Sequence, residues 1–154
     1  MNHIHIYTKK PQAGFSLMEM LLVVAILAII TVICVPIYAS LQNTNGLNIA
    51  TNTLVQDLYQ AQLLSRNETY NSAWGVAISG PNQTITLYAG TSYASRNTAY
   101  DTVFSFQTTS TVSGLSEIDF SKFYGLPQST GSITLKSGNT TNTVTINSEG
   151  MVDY

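Results

Sequence analysis

The sequence predicts an α+β protein in which one long amino-terminal helix lies on a carboxy-terminal antiparallel β-sheet. Three observations carry this expectation. Residues 14–38, GFSLMEMLLVVAILAIITVICVPIY, form an apolar run broken by a single carboxylate, Glu19. Residues 39–67 repeat apolar side chains at spacings of three and four. Beyond Tyr70 the chain turns into short β-rich runs separated by turn sequences.

The first 14 residues, MNHIHIYTKKPQAG, read as a leader, with Lys9 and Lys10 just ahead of the apolar run. The positive-inside rule then keeps this end in the cytoplasm. The stretch from Phe15 to Tyr38 reaches about 36 Å as a helix, enough to cross a hydrocarbon core of about 30 Å. It reads as a single-pass anchor with the rest of the chain outside. Small residues after the run, Ala39 and Ser40, make a poor secretory cleavage site, whereas the stronger boundary lies before it, at Gly14. A cut there removes the leader and keeps the anchor.

Residues 39–67 read as an amphipathic continuation of the same helix. Leu47, Ala50, Leu54, Leu58, Ala61 and Leu64 form one stripe, widened by Val55 and Tyr59, with Asp57 and Gln60 on the wet face. Gly46 is an expected soft point and Asn67 an expected stop. A helix from Phe15 to Arg66 spans about 78 Å.

Residues 68–154 read as a β-rich outer domain that receives the stripe. Trp74–Ser79 and Thr84–Tyr88 flank GPNQ as a hairpin, and Tyr93–Asp101 reads as a loop. Thr102–Gln107 is a strand with Phe104 and Phe106 on one face, and Leu115–Phe120 a weaker strand. Phe123–Pro127 is a turn. Ser132–Lys136, the loop SGNTTN, Thr143–Asn147, a turn at Ser148–Gly150 and Met151–Tyr154 complete an antiparallel meander.

Composition narrows the function. Charged residues are 9% of the 154 and the net charge is −2. Beyond the apolar run stand Arg66, Arg96, Lys122 and Lys136, too few and too scattered for a nucleic-acid surface. The only cysteine, Cys34, falls inside the apolar run, so no intramolecular disulfide exists. His3 and His5 lie in the leader and are lost with it, which leaves the outer domain without the usual nucleophile–base pairings. No phosphate loop, dinucleotide fingerprint, HExxH, CxxC or EF-hand loop is present, and no cofactor is expected.

Two features remain open. Glu117 and Asp119, two apart on a strand, share a face and could contact calcium, though solvated strand acids are far commoner. Trp74, Tyr88, Tyr93, Tyr100 and Tyr124 suit either a carbohydrate or partner surface or, more often in such a sheet, packing against the helix. The NxS/T tripeptides at Asn67, Asn82 and Asn139 are expected by chance in a chain so rich in Asn and Thr.

Lys9, Lys10, Gly14, Phe15, Ser16, Leu17, Met18 and Glu19, with the apolar segment behind them, resemble the amino termini of type IV filament proteins: type IV pilins and the pseudopilins of type II secretion. The resemblance implies a pilin-like fold, cleavage after Gly14 by a prepilin peptidase and methylation of the new terminus at Phe15. It makes Glu19 the acid in the fifth place of the processed chain and Pro36 the proline that kinks the helix at its twenty-second. Met18 stands where the family usually has threonine. The implied partners are the peptidase, other pilin or pseudopilin subunits and an inner-membrane assembly platform. The implied location is the bacterial cytoplasmic membrane, then an extracytoplasmic filament.

A carboxylate inside a spanning helix costs about 2.5–3.5 kcal/mol on insertion scales and is usually paired. Glu19 lies about 6 Å along the axis from Phe15, whose freed α-amine, on the same or a neighbouring subunit, is its nearest positive partner. An alternative reading makes Glu19 an interfacial acid favoured by the helix dipole. The outer domain resembles, loosely, the minor pseudopilin subgroup related to the type II secretion H subunit and the fimbrial T proteins. The expected role is a structural minor pseudopilin, not an enzyme. A major type IV pilin for adhesion or motility is the alternative, and a DNA-uptake pilin a weaker one, since TINSEGMVDY carries no Lys or Arg.

Overall fold

The structure, a computed structural model, describes residues 14–106 and 110–154, excepting the side chains of residues 33–36. It divides into two units, residues 1–38 and 39–154. The element order is a helix α1 (Leu17–Arg66) followed by eight strands: β1 Trp74–Ser79, β2 Thr84–Ala89, β3 Asn97–Ser105, β4 Ser110–Gly114, β5 Glu117–Phe120, β6 Gly131–Ser137, β7 Thr140–Ile146 and β8 Val152–Asp153. The α+β arrangement is as expected, and Gly46 lies within continuous helix.

In the first unit α1 starts at Leu17 and is capped by Ser16. The Ser16 Oγ accepts the Met18 N–H at 3.2 Å, and the Ser16 carbonyl accepts those of Glu19 and Met20 at 3.0 and 3.2 Å. These bonds satisfy donors that a helix start leaves unpaired. Further along, Thr31 Oγ1 bonds back to the carbonyls of Leu27 and Ala28 at 3.1 and 2.9 Å, which removes the one hydroxyl of that stretch from solvent demand.

In the second unit the carboxy-terminal half of α1 buries most of the predicted stripe, with Leu64 half-buried and Tyr59, expected to widen it, exposed because it lies at the flank. Leu47, Ala50, Leu54, Leu58 and Ala61 are fully buried and Val55 nearly so. They meet two sheets rather than one. The first has the order β3-β2-β1-β5 and the second β4-β6-β7-β8, all neighbouring pairs antiparallel. Val76, Ile78, Ile85, Leu87, Ile118 and Phe120 come from the first sheet, and Ile133, Leu135, Val144 and Ile146 from the second, into one cluster with the helix.

Polar contacts fix the helix on both sheets. The buried Ser65 Oγ accepts the Trp74 N–H at 2.8 Å and its carbonyl accepts the Phe123 N–H at 3.0 Å. On the other side Asn142 Nδ2 donates to Thr51 Oγ1 at 3.0 Å and Asn48 Oδ1 at 3.1 Å. Gly125, at φ 62°, lets the 121–127 turn lie against the helix: a Cβ there would sit 2.5 Å from Arg66 Cγ. The turn expected at Phe123–Pro127 is thus a helix-docking device, closed by the Phe120–Pro127 bridge.

Several expectations change. The predicted loop Tyr93–Asp101 holds a 3-10 turn at Tyr93–Ser95 and then the first half of β3, which runs from Asn97. Its residues up to Ala99 are exposed, so no apolar alternation marks them. SGNTTN is mostly strand, because the β6–β7 ladder extends to Ser137–Thr140 and leaves Gly138 and Asn139 as a tight turn. Ser110–Gly114, too polar to read as a strand, is β4, recruited by pairing with β6. The single meander is replaced because β5 crosses to pair with β1 and β4 pairs with β6.

Leu58→Ala should lower the stability of the outer domain by about 2–5 kcal/mol, the usual cost of a cavity in a closed core. Leu63→Ala, one helical turn away but 57% exposed, should change it by no more than about 0.5 kcal/mol. Urea titration of the full-length protein in detergent, followed by Trp74 fluorescence, checks both.

Candidate functional site: the amino-terminal apolar helix

The residues singled out at the amino terminus sit together at the start of α1. Gly14 and Phe15 precede the helix, Ser16 caps it, and Glu19 occupies its first turn. The Ser16–Glu19 spacing is that of a capping box, a helix-start signal legible in the sequence. Glu19 also lies where the helix dipole favours an anion. A negative charge at that position is electrostatically favourable to the helix start.

Every described side chain from Gly14 to Val32 is exposed, with Phe15 and Leu17 each at 80%. The helix contains an 18-residue window of mean hydropathy 3.1 and is long and apolar enough to cross a membrane. An apolar surface of this extent needs a covering, either lipid or other apolar helices. Pro36 falls within the span of α1, but its side chain, like that of Cys34, lies outside the described residues, as do Lys9, Lys10, His3 and His5.

The outer domain separates the other candidate residues. Glu117 and Asp119 share a strand face, and each has a protein donor. Glu117 Oε2 accepts the Tyr93 N–H at 3.1 Å, and Asp119 Oδ1 accepts the Tyr88 hydroxyl in a short hydrogen bond. Among the described residues no group of three His, Cys, Asp or Glu side chains is placed to hold a metal. The cradle for the Tyr88–Asp119 pair is Gly75, where a Cβ would approach both groups to 2.6–2.7 Å. Burial and then the Asp119 bond push the Tyr88 hydroxyl well above its ordinary range. Burial, with a smaller contribution from Glu117, raises Asp119 despite the opposing effect of the Tyr88 bond. Both shifts keep the proton on this pair.

The aromatic residues divide. Tyr88 and Trp74 are core, Tyr93 packs edge-on against Tyr88 at 5.6 Å and carries the Arg96 guanidinium 3.8 Å over its ring, and Tyr100 is half-buried. Tyr124, expected in the core, is 67% exposed and meets Phe123 edge-on at 5.1 Å. Its backbone carbonyl instead accepts from Arg66 Nε at 3.2 Å, so the turn docks through main chain and leaves the ring outside. Asp57 also departs from expectation: it is half-buried rather than on a wet face, and desolvation pushes its carboxyl up to about 6.

That shift has a definite sign. The folded carboxyl holds its proton above the ordinary value of 3.8, so the folded state binds more protons between roughly pH 4 and 6. The contribution of Asp57 to stability is greatest below that window and falls as the pH rises through it, and Asp119 acts in the same direction. Urea midpoints of the full-length protein should be higher at pH 5 than at pH 7.5, and Asp57→Asn should flatten that dependence. An unchanged slope in the variant would remove Asp57 as its source.

No curated protein and no solved structure matches the chain. The match that exists is confined to the segment with the exposed apolar helix: residues 9–35 fit the family model described as the prokaryotic N-terminal methylation motif.

Proposed function

We propose that this chain is a structural filament subunit of the type IV pilin and type II pseudopilin kind. The observation that carries the reading is the match of residues 9–35 to the methylation motif. It falls on a helix whose described side chains are exposed and which bears Glu19 as its one charged group before Tyr38. In this reading a prepilin peptidase cuts between Gly14 and Phe15 and the α-amine of Phe15 is methylated. The segment from Phe15 to Tyr38 holds the subunit in the cytoplasmic membrane, with residues 39–154 outside, until an assembly platform transfers it to the filament.

Transfer replaces lipid around the helix by neighbouring helices, so the apolar contact is roughly conserved and selects no register by itself. A buried charge does select one. Glu19 reaches the Phe15 amine of an adjacent subunit at only one axial offset, and an unpaired carboxylate in that environment is penalised. Pro36 supplies a bend within the helix.

Within this class we assign the chain to the minor pseudopilins. The second unit, residues 39–154, is small and holds no cysteine, whereas many major pilins carry a carboxy-terminal pair. A major pilin is the competing outcome.

Mass spectrometry of the membrane-extracted protein should give a chain beginning at methylated Phe15; an intact Met1 terminus would falsify the processing step. Glu19→Ala should insert normally yet enter filaments about tenfold less well, equivalent to losing ~1.4 kcal/mol of intersubunit pairing. Normal incorporation of that variant removes Glu19 from the mechanism. Deleting the gene should abolish protein secretion and spare surface pili and DNA uptake, whereas loss of pili assigns the major role.

A further inference from the structure

Between α1 and the edge of the first sheet the outer domain carries an uncharged aromatic groove that none of the foregoing uses. Its volume is about 290 Å³, and Gln60, Thr69, Tyr70, Trp74, Tyr100 and Thr102 contribute to its lining. That places it near the lower end of small-ligand sites. The Tyr70 ring stacks on Tyr100 at 4.2 Å with an interplanar angle of 16°, and Trp74 lies 6.2 Å from Tyr70 and 6.5 Å from Tyr100. Tyr70 remains 64% exposed, so one face of its ring is covered by Tyr100 and the other is open.

The backbone that presents Tyr70 is strained. Glu68, Tyr70 and Asn71 have φ of 49°, 57° and 57°, left-handed values that non-glycine residues rarely adopt. Three in four residues persist only where the surroundings impose them, and such strain concentrates at binding sites. The surroundings are visible: Lys122 Nζ lies 3.3 Å from Glu68 and donates to Asn71 Oδ1, and Trp74 Nε1 donates to the Thr69 carbonyl at 3.1 Å. The turn is thus fixed at both ends, and the platform is formed before any ligand arrives.

The chemistry selects the ligand. No residue lining the groove carries a charge, which disfavours ionic ligands, and the nearby Glu68 is already paired. A flat aromatic face in one groove with the exposed Gln60 and Thr102 matches a ring with one apolar C–H face and equatorial hydroxyls. Proline-rich peptides also dock aromatic-lined grooves, so a proline decapeptide is the competing outcome of the test. We infer that this groove binds a neutral saccharide, with a pyranose ring laid on Tyr70 and its hydroxyls bonded to Gln60 and Thr102. The site uses no residue of the apolar segment before Tyr38 and, resting on the filament reading, adds glycan binding to a filament subunit.

Trp74 is the chain's only tryptophan and borders the groove, so its emission reports locally. The full-length protein, held in a detergent without a sugar headgroup, would be titrated to about 10 mM with cellotetraose, with tetra-N-acetylchitotetraose and with a proline decapeptide. One of the sugars should give a saturable change. Tyr70→Ala should weaken it about tenfold, the weight of one aromatic contact, while Tyr70→Phe, which keeps the stacking face, stays within about threefold of the parent. Thr102→Lys, at an exposed position that leaves the core untouched, should weaken it at least as much. The inference is overturned by the absence of saturation with either sugar, by equal affinity in Tyr70→Ala, or by tighter binding of the peptide.

Discussion

The outer domain depends on one act of burial: a single face of α1 closing the space that two four-stranded sheets leave open. Neither sheet can cover its own apolar side, and the helix alone would expose Leu47, Leu54 and Leu58 to water. At roughly 25 cal/mol per Å² of apolar surface removed from water, the shared cluster is the dominant favourable term. The helix stripe contributes Leu47, Ala50, Leu54, Leu58 and Ala61 to the cluster, and Val76 and Ile118 of one sheet and Leu135 and Val144 of the other complete it. Ser65, buried among them, joins the last turn of α1 to the start of β1.

The amino-terminal part of the same helix obeys the opposite logic. Its described side chains are exposed, and the helix start and the Thr31 hydroxyl are met by local hydrogen bonds, which leaves the Glu19 carboxylate as the polar group that the segment does not itself pair. That combination suits a nonaqueous surrounding, where a backbone or hydroxyl group without a partner is costly. The amphipathic half specifies a fold by burying its stripe within the chain, and the apolar half, among the described residues of its own unit, has nothing to bury against. Lipid or other apolar helices would cover it, and the filament reading supplies both in turn.

Much of the fold was legible because periodicity encodes which side is buried. The spacings of three and four from Leu47 to Ala61 gave the helix and its face, and the alternation around Phe104 placed the aromatic side of β3 correctly. Where pattern failed, pairing had taken over. Ser110–Gly114 has one apolar side chain, Val112, and becomes a strand only because β6 offers a ladder; Asn97–Ala99 are exposed at an edge and carry no alternation. Asp57 was misplaced because helical spacing cannot say how far neighbouring elements overhang a flank, and Tyr124 because an aromatic residue in a turn can dock through its carbonyl.

The sequence by itself determined the apolar segment with Glu19 near its start, the amphipathic continuation and the β-rich character of the remainder, all of which are local properties of composition and spacing. Only the tertiary structure decided that the strands divide into two sheets, that β5 crosses to β1, that Gly75 makes room for the Tyr88–Asp119 pair, and that Tyr70 stands on Tyr100. These depend on contacts between residues far apart in the chain, and no short-range pattern carries that information.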